Sequence, residues 1–191
     1  TITITGNNVT LDGYDFSGWH INNDGANTKI TNSNFSLGSD SSIWSRSSSS
    51  NLYIGYCVID GQNGAEALVT MSGSNITVEY CWLKNAGGDA VQLQSPGGGQ
   101  VTLQYNLFEQ AGQADGSHGD FLQVFTGAPV TATLVFNTTR QTSGFTQGLM
   151  LEPDGGPWGA GVITSGDIGY NTFFASGSGT QYYFTGVTVA D

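Results

Sequence analysis

A segment of eight residues recurs seven times along the chain, and this repeat restricts the fold more than any other feature. The segments align without gaps, and their last residues lie 19 to 34 residues apart. Self-similarity at such spacings is typical of solenoids, in which each repeat forms one coil that packs on the next. The segments are Val9–Phe16, Thr28–Phe35, Leu52–Ile59, Ile76–Leu83, Val101–Phe108, Ala132–Thr139 and Gly166–Phe173.

The columns of the aligned segments alternate between apolar and polar residues. Position 1 is mostly Val, Leu or Ile, position 3 is always Leu, Ile or Val, and position 5 is aromatic in the last five segments. Alternation with period 2 predicts a strand whose positions 1, 3 and 5 face one side. We therefore expect the position 5 residues to stack as a ladder in the core. They are Tyr56, Tyr80, Tyr105, Phe136 and Tyr170.

Position 6 holds two cysteines and three asparagines, at Cys57, Cys81, Asn106, Asn137 and Asn171. Asparagine tolerates the left-handed backbone conformation, so we expect a sharp corner here. Stacked amide side chains can hydrogen-bond one another along the solenoid. The two cysteines should lie one above the other as buried thiols. A disulfide is the alternative, because the Cα spacing of adjacent strands is within the range that a disulfide spans.

A second strand is expected after each corner. Four candidates follow the corners in successive coils, and proline comes soon after three of them, where a strand should stop. No helical periodicity is present. The chain is thus predicted to be an all-β, single-domain, right-handed parallel β-helix of about seven coils over 1–191, in a mature form or as a fragment of a longer protein. The candidate second strands are Ala67–Thr70, Ala90–Leu93, Phe121–Val124 and Gly148–Leu151.

The repeated strand–corner–strand unit resembles the pectate-lyase-like superfamily of right-handed parallel β-helices. The unit is clearest in Thr102–Phe108 and Asp167–Phe173, and the resemblance extends over roughly 9 to 174. Gly87–Val91 and Gly116–Phe121 are similar to a bacterial extracellular branch. The resemblance implies the fold; activity is a separate question, because this fold carries polysaccharide lyases, glycoside hydrolases, phage tailspikes and adhesins.

The charge balance excludes some classes of partner. The net charge is -11, with four basic residues. Binding to nucleic acid or to anionic lipid needs a basic patch, so neither is expected. No run of 18 apolar residues exists, so no membrane insertion is predicted. An acidic surface suits a secreted or virion-surface protein, or one that binds cations.

Three acidic residues precede the second strands of successive coils: Glu66, Asp89 and Asp120, with Gln147 in the next coil. Stacked carboxylates repel one another, and a calcium ion would offset the repulsion because it prefers carboxylate ligands. Lyases of the superfamily often use calcium to hold an acidic sugar. The alternative is that each acid caps its own turn.

The insertion Glu109–Gly119 places Asp115 and His118 near Asp120. His118, Asp120 and Asp89 are candidates for general acid/base catalysis of glycoside hydrolysis. Galacturonan hydrolases of the superfamily carry paired aspartates and a Gly-His-Gly element. This chain has one aspartate, Asp89, where those hydrolases have a pair. Ser117 replaces the first glycine of the Gly-His-Gly element. The alternative is that His118 is a solvated loop residue.

Lyases need a basic residue that abstracts a proton. Lys84 and Arg140 fall in one column with Glu109 between them, which favours an alternating surface charge ladder over a catalytic base. Arg46 lies in the Ser-rich stretch Ser45–Ser50, which we expect to be a loop.

Substrate binding is predicted on the outer side of the second strands, where an aromatic platform and amide or carboxylate groups suit a sugar. An exposed tryptophan can equally fold back on the solenoid. The candidates are Gln92, Gln123, Phe125, Glu152 and Trp158, with Met150 beside them.

Two functions remain open at this point. The first is an extracellular module that binds, and in one version cleaves, an acidic polysaccharide. The second is a non-catalytic structural or adhesive solenoid, such as a phage tailspike, another virion component or a bacterial surface protein. Neither end shows an amphipathic capping helix, so contacts of the solenoid ends with another chain, end to end or in a homo-oligomer, are also expected.

Overall fold

Every regular element in the described part of the chain is a short β-strand. The structure, a computed structural model, describes residues 1–94, 99–125, 130–144, 146–151, 163–176 and 183–185. The strands are β1 (Ile2–Ile4), β2 (Thr10–Asp12), β3 (Ile21–Asn23), β4 (Lys29–Thr31), β5 (Asn34–Ser36), β6 (Ser41–Ser45), β7 (Ser50–Gly55), β8 (Val58–Asp60), β9 (Ala67–Met71), β10 (Ser74–Glu79), β11 (Trp82–Lys84), β12 (Asp89–Leu93), β13 (Gly99–Gln104), β14 (Leu107–Glu109), β15 (Gly119–Val124), β16 (Val130–Val135), β17 (Thr138–Gln141), β18 (Thr146–Leu151), β19 (Ile163–Gly169), β20 (Thr172–Ala175) and β21 (Tyr183–Thr185).

The strands form three parallel sheets, so the chain winds as a β-helix with three faces. The eight-stranded sheet has the order β1-β3-β6-β9-β12-β15-β18-β21, the seven-stranded sheet β19-β16-β13-β10-β7-β4-β2, and the six-stranded sheet β20-β17-β14-β11-β8-β5. Neighbours in each sheet come from successive coils. The predicted second strands are confirmed as β9, β12, β15 and β18.

The core is built from columns of identical positions, as the repeat predicts. Position 3 of the seven-stranded sheet is buried from Ile30 to Leu103, and position 8 of the six-stranded sheet from Phe35 to Phe108. Ile21, Ile43 and Val69 stack in register in the eight-stranded sheet. Burying apolar side chains from all three faces in one interior supplies the main driving force for the fold.

The aromatic ladder exists, but its predicted place in the core is wrong. Tyr56, Tyr80, Tyr105, Phe136 and Tyr170 have φ between 54° and 57°, and their side chains are 43% to 76% exposed. A left-handed residue between two strands interrupts the alternation of sides. Position 5 therefore faces solvent, and position 6 turns inward in its place.

Stacking offsets the strain of these left-handed residues. Adjacent rings of the ladder have centroids 4.9 to 5.1 Å apart and planes within 2° to 9° of parallel. A left-handed residue other than glycine costs about 1–2 kcal/mol, and one aromatic pair contributes about 0.5–1.5 kcal/mol. The two effects are of similar size, so a column of rings can tolerate this backbone.

Position 6 forms a buried polar spine, which confirms the predicted asparagine stack but not the left-handed corner at this position. The Asn106 Nδ2 donates to Asn137 Oδ1 at 3.1 Å, and Asn137 Nδ2 donates to Asn171 Oδ1 at 3.0 Å. Each amide also bonds backbone groups of the preceding coil. Asn106 accepts from the backbone N–H of Cys81 at 3.0 Å and donates to the Val78 carbonyl at 2.9 Å.

The two cysteines continue the same spine as free, buried thiols. The Cys81 sulfur accepts from the backbone N–H of Cys57 at 3.4 Å, and its thiol lies 3.2 Å from the Glu79 carbonyl. The sulfur thus occupies the place of an asparagine oxygen. Of the two alternatives left open by the sequence, the structure has the thiols.

A second asparagine ladder lies on the surface, at the corner that leads into the seven-stranded sheet. Asn8, Asn27, Asn51 and Asn75 all have φ between 54° and 60°. Their amides form a chain of hydrogen bonds of 2.9 to 3.2 Å. Because these side chains are exposed, water competes for each bond.

The outer side of the six-stranded sheet carries the predicted charge ladder. The predicted column of Lys84, Glu109 and Arg140 is in register, and Asp60 extends it by one coil. Lys84 Nζ lies 3.2 Å from Asp60 Oδ2, and Arg140 Nη1 lies 2.8 Å from Glu109 Oε1. Both cations are thus engaged in surface ion pairs, which favours the ladder over a catalytic base.

The end strands of the described solenoid are β1, β2 and β5 at one end and β21, β19 and β20 at the other. Contacts of these ends with another chain stay a prediction. Among the described residues, no helix has the length and apolar character needed to cross a membrane.

Candidate functional site

The outer side of the eight-stranded sheet presents one in-register row of polar and aromatic side chains, which we call the central row. Its members alternate along their strands with core residues such as Val69 and Val91, so they point away from the core. Thr70 and Gln92 are nevertheless buried, at 3% and 6% exposed. Gln92 and Gln123, both predicted to bind substrate, lie side by side in it. The row consists of Asn22, Trp44, Thr70, Gln92, Gln123 and Met150.

Arg46 is held in place at one end of the central row. It directly follows β6, and its guanidinium carbon lies 3.8 Å from the centre of the Trp44 ring. Nε and Nη2 of Arg46 lie 3.2 and 3.0 Å from Asn22 Oδ1. Trp44 is itself oriented by a 3.1 Å bond from its Nε1 to Ser72 Oγ. Arg46 thus lies in the predicted loop, and these contacts fix its guanidinium beside the sheet.

His20 completes this cluster. Its Nε2 lies 2.7 Å from Asn22 Oδ1, and its Nδ1 bonds the carbonyl oxygen of Ser41. No carboxylate forms an ion pair with Arg46 among the described residues. The nearby Asp24 accepts a 3.2 Å bond from Ser48. The guanidinium therefore keeps donor capacity for an anionic group from outside.

Asp89 and Asp120 are buried next to the row rather than exposed in a cleft. Asp89 is 4% exposed and Asp120 0%. Asp89 Oδ1 accepts from the backbone N–H of Asp120 at 2.8 Å, and Asp89 Oδ2 accepts from Gln92 Nε2 at 2.8 Å. Both oxygens of Asp89 thus have donors inside the protein.

Burial dominates the protonation of Asp89. It raises the pKa of the Asp89 carboxyl from 3.8 to about 7, against the lowering effect of the bonds from Gln92 and the Asp120 backbone. The Glu66 carboxylate nearby raises this pKa further. Near neutral pH the side chain is therefore a neutral acid in part of the molecules.

The predicted register of the acidic column is wrong for Glu66. Asp89 pairs with Ala67, and Glu66 is exposed one residue earlier. The N–H groups of Gly87 and Gly88 both donate to the Ala65 carbonyl, at 2.8 and 3.1 Å. The pairing is set by the connecting turn: six residues separate Asp60 from Ala67, whereas four separate their partners Lys84 and Asp89.

The three acidic residues do not fit a calcium site. Calcium takes six to eight oxygen ligands, most of them ionised or carbonyl, whereas Asp89 is buried with both oxygens bonded. Within the described ranges, no group of three His, Cys, Asp or Glu side chains converges to hold a metal. Calcium binding by this chain stays a prediction.

His118 lines a surface cleft formed by its own loop and the turn at Ser143–Gly144. Asp115 and Ser117 line the same cleft, but Asp89 and Asp120 do not. The loop is tied to the turn by a 2.9 Å bond from Gln113 Nε2 to the Ser143 carbonyl. The cleft therefore presents His118 and Asp115 to solvent.

Of the remaining predicted binding residues, the structure describes Phe125 alone. Phe125 follows β15 and its N–H donates to the Leu93 carbonyl at 2.8 Å. Glu152 and Trp158 lie outside the described residues. The predicted binding set is thus placed for Gln92, Gln123 and Phe125 alone.

Comparison with known families agrees with the architecture. Residues 1–138 match the family model described as a right-handed β-helix region. The chain belongs to the right-handed β-helix family. No curated protein matches it significantly. Membership in this right-handed β-helix family establishes the fold, and the resemblance to the pectate-lyase-like branch stays a prediction.

Sequence reasoning missed the four residues at the early end of this right-handed β-helix: His20, Asn22, Trp44 and Arg46. A signal was present in the sequence. Ile21 and Ile43 are β-branched apolar residues like Val69 and Val91. Aligning these four residues places Trp44 in the column of Gln92.

Proposed function

We propose that this β-helix is an extracellular or virion-surface module that binds an acidic polysaccharide along the central row. The observation that carries the proposal is Arg46, a cation fixed by Trp44 and Asn22 without a carboxylate partner among the described residues. A fixed guanidinium binds a carboxylate with two parallel hydrogen bonds. It would therefore select uronic acid units.

The shape of the row supports an extended ligand. Adjacent strands of a sheet lie about 4.8 Å apart, so the side chains of the row are regularly spaced. Thr70 and Gln92 are buried, and Asn22, Trp44 and Gln123 are half-buried members that a ligand could contact. The Gln92 amide is bonded inside the protein by Gln94 and Asp89. Sugar units would therefore contact the Trp44 ring and the Gln123 amide, an aromatic face and a hydrogen-bonding group.

Replacing Arg46 by glutamine should weaken binding of a uronic acid oligosaccharide about tenfold to a hundredfold, since a charge-assisted hydrogen bond is worth about 1.5–3 kcal/mol. Calorimetric titration with uronic acid and neutral oligosaccharides, with calcium or with a chelator, measures this. Dependence on calcium would support a cation bridge.

The matched control is Arg140→Gln, which removes a cation from the six-stranded sheet and should leave the affinity unchanged. Equal losses in both variants would mean that total charge, rather than the Arg46 site, governs binding. No binding of any oligosaccharide would favour the alternative of a structural or adhesive solenoid.

Cleavage is the second candidate, and the raised pKa of Asp89 favours it. A carboxyl that is partly protonated near pH 7 suits a general acid. If Asp89 donates a proton to a glycosidic oxygen, Asp89→Asn should lower the release of reducing ends by about a hundredfold or more.

The burial of Asp89 and Asp120, however, keeps a substrate away from both carboxyl groups and favours binding without cleavage. We therefore expect the unaltered protein to release no reducing ends. Release that Asp89→Asn abolishes would contradict this.

A further inference from the structure

The exposed aromatic ladder contains three consecutive tyrosines. The Tyr56 and Tyr80 ring centroids are 5.0 Å apart with planes 5° from parallel, and those of Tyr80 and Tyr105 are 5.0 Å apart with planes at 3°. The three side chains are 43% to 55% exposed. An oxidant in solution can therefore reach phenols that are already held side by side.

We propose that Tyr56, Tyr80 and Tyr105 are an oxidative cross-linking site, at which peroxide and a peroxidase-type one-electron oxidant join neighbouring coils through dityrosine. The inference is independent of sugar binding, because the ladder lies at the corner between the seven-stranded and six-stranded sheets and not on the central row.

The chemistry needs two one-electron steps. Each of two neighbouring phenols loses one electron and one proton to give a phenoxyl radical. The radicals couple through ring carbons ortho to oxygen, and both ring C–H protons then move to restore the phenols. Overall one C–C bond forms, two C–H bonds break, and one hydrogen peroxide is reduced to two waters.

The ladder geometry favours coupling within the chain. Parallel in-register coils hold equivalent ring carbons of neighbours one strand spacing apart, and exposure on the outer side leaves room for the rings to tilt toward each other. Proximity of this kind raises the rate of a two-group reaction strongly over the same reaction between separate molecules. Tyr80 is central, because it is the neighbour of both other phenols.

A phenylalanine in the ladder limits which tyrosines can couple. Phe136 follows Tyr105 with centroids 5.1 Å apart, and Tyr170 follows Phe136 at 4.9 Å. Phenylalanine has no phenol to oxidise, so Tyr170 has no coupling partner on that side. The cross-links should therefore join the coils of Tyr56, Tyr80 and Tyr105.

The test is oxidation of the dilute protein with peroxidase and hydrogen peroxide, followed by dityrosine fluorescence and mass-spectrometric mapping of linked peptides. We expect Tyr56–Tyr80 and Tyr80–Tyr105 links in monomeric protein. Tyr80→Phe keeps the ring stack but leaves the other two phenols two ladder steps apart, and should lower the yield within the chain about tenfold or more. Tyr170→Phe is the matched control and should not change the yield of these links.

A gain of reactivity provides a second test that does not depend on loss of fold. Phe136→Tyr should add links between positions 105 and 136 and between positions 136 and 170. Oxidised protein that contains none of the proposed links within one chain, or a Tyr80→Phe variant with an unchanged yield, would overturn the proposal. So would a Phe136→Tyr variant that gains no link.

Discussion

Replacing Asn106 by leucine should lower the free energy of unfolding by about 3–5 kcal/mol, because it removes three buried hydrogen bonds and leaves the Cys81 N–H without its side-chain partner. The backbone N–H of Cys81, the carbonyl of Val78 and the amide oxygen of Asn137 all bond Asn106. Each lies inside the solenoid, where water cannot replace the lost bond. Urea unfolding measured by circular dichroism gives the change.

Two variants make this prediction specific. Asn75→Gly removes one exposed amide of the surface ladder while keeping a residue that accepts φ of 57°, and should cost about 1 kcal/mol or less. Asn106→Cys introduces the residue that already occupies the spine in two coils, and should cost less than Asn106→Leu. Equal losses for Asn106→Leu and Asn75→Gly would contradict a spine of buried hydrogen bonds.

Stability should fall as the pH rises from about 4 to about 7, on the order of 4 kcal/mol in total from Asp89 alone. The folded pKa of Asp89 is raised from 3.8 to about 7, chiefly by burial. Between these two values the folded protein binds a proton that the unfolded chain has lost. The stabilising contribution is therefore complete below the unfolded pKa and is lost as the pH rises through the folded pKa.

The Asp89→Asn variant isolates this effect. Asparagine resembles the neutral acid, and the Gln92 amide can turn to accept a bond from it. We expect the difference in free energy of unfolding between the original protein and the variant to change by about 4 kcal/mol between pH 4 and pH 7. Urea unfolding at a series of pH values measures this difference. Asp115→Asn, which removes an exposed carboxylate, is the control. A difference that stays flat from pH 4 to pH 7 would show that Asp89 is ionised throughout.

Other carboxylates have lowered rather than raised pKa values, so their effect on stability has the opposite pH dependence. Comparison with the Asp89→Asn variant is needed to separate the two effects. Hydrogen bonds from Thr31 and Asn32 lower the pKa of Asp12, and bonds from Ser17 lower that of Asp15. Groups with lowered pKa stabilise the folded protein above their unfolded pKa and lose this effect as the pH falls. Their acid-side loss overlaps the range in which Asp89 is most stabilising.

The candidate site was only partly predictable, because some of its residues follow the strand repeat and others lie in or next to a loop. Gln92 and Gln123 follow the same strand pattern in adjacent coils and were found. Trp44 precedes a Ser-rich stretch that looks like a loop, and Arg46 lies in it. Their role depends on contacts with Asn22 and Ser72 in neighbouring coils. Those contacts follow from the stacking of coils, which a single strand pattern does not contain.

The β-helix, the columns of the core, the second strands, the asparagine stack and the charge ladder all follow from the sequence, because period-2 alternation and the coil repeat place like residues on like positions. Contacts between coils, which form only in the folded chain, set the side that position 5 faces and the residue that pairs with Asp89. A single left-handed residue moved the aromatic ladder to the surface, and a turn that is two residues longer after Asp60 than after Lys84 set the pairing of Asp89 with Ala67. Both depend on hydrogen bonds between coils, and the residue order along one strand does not specify them.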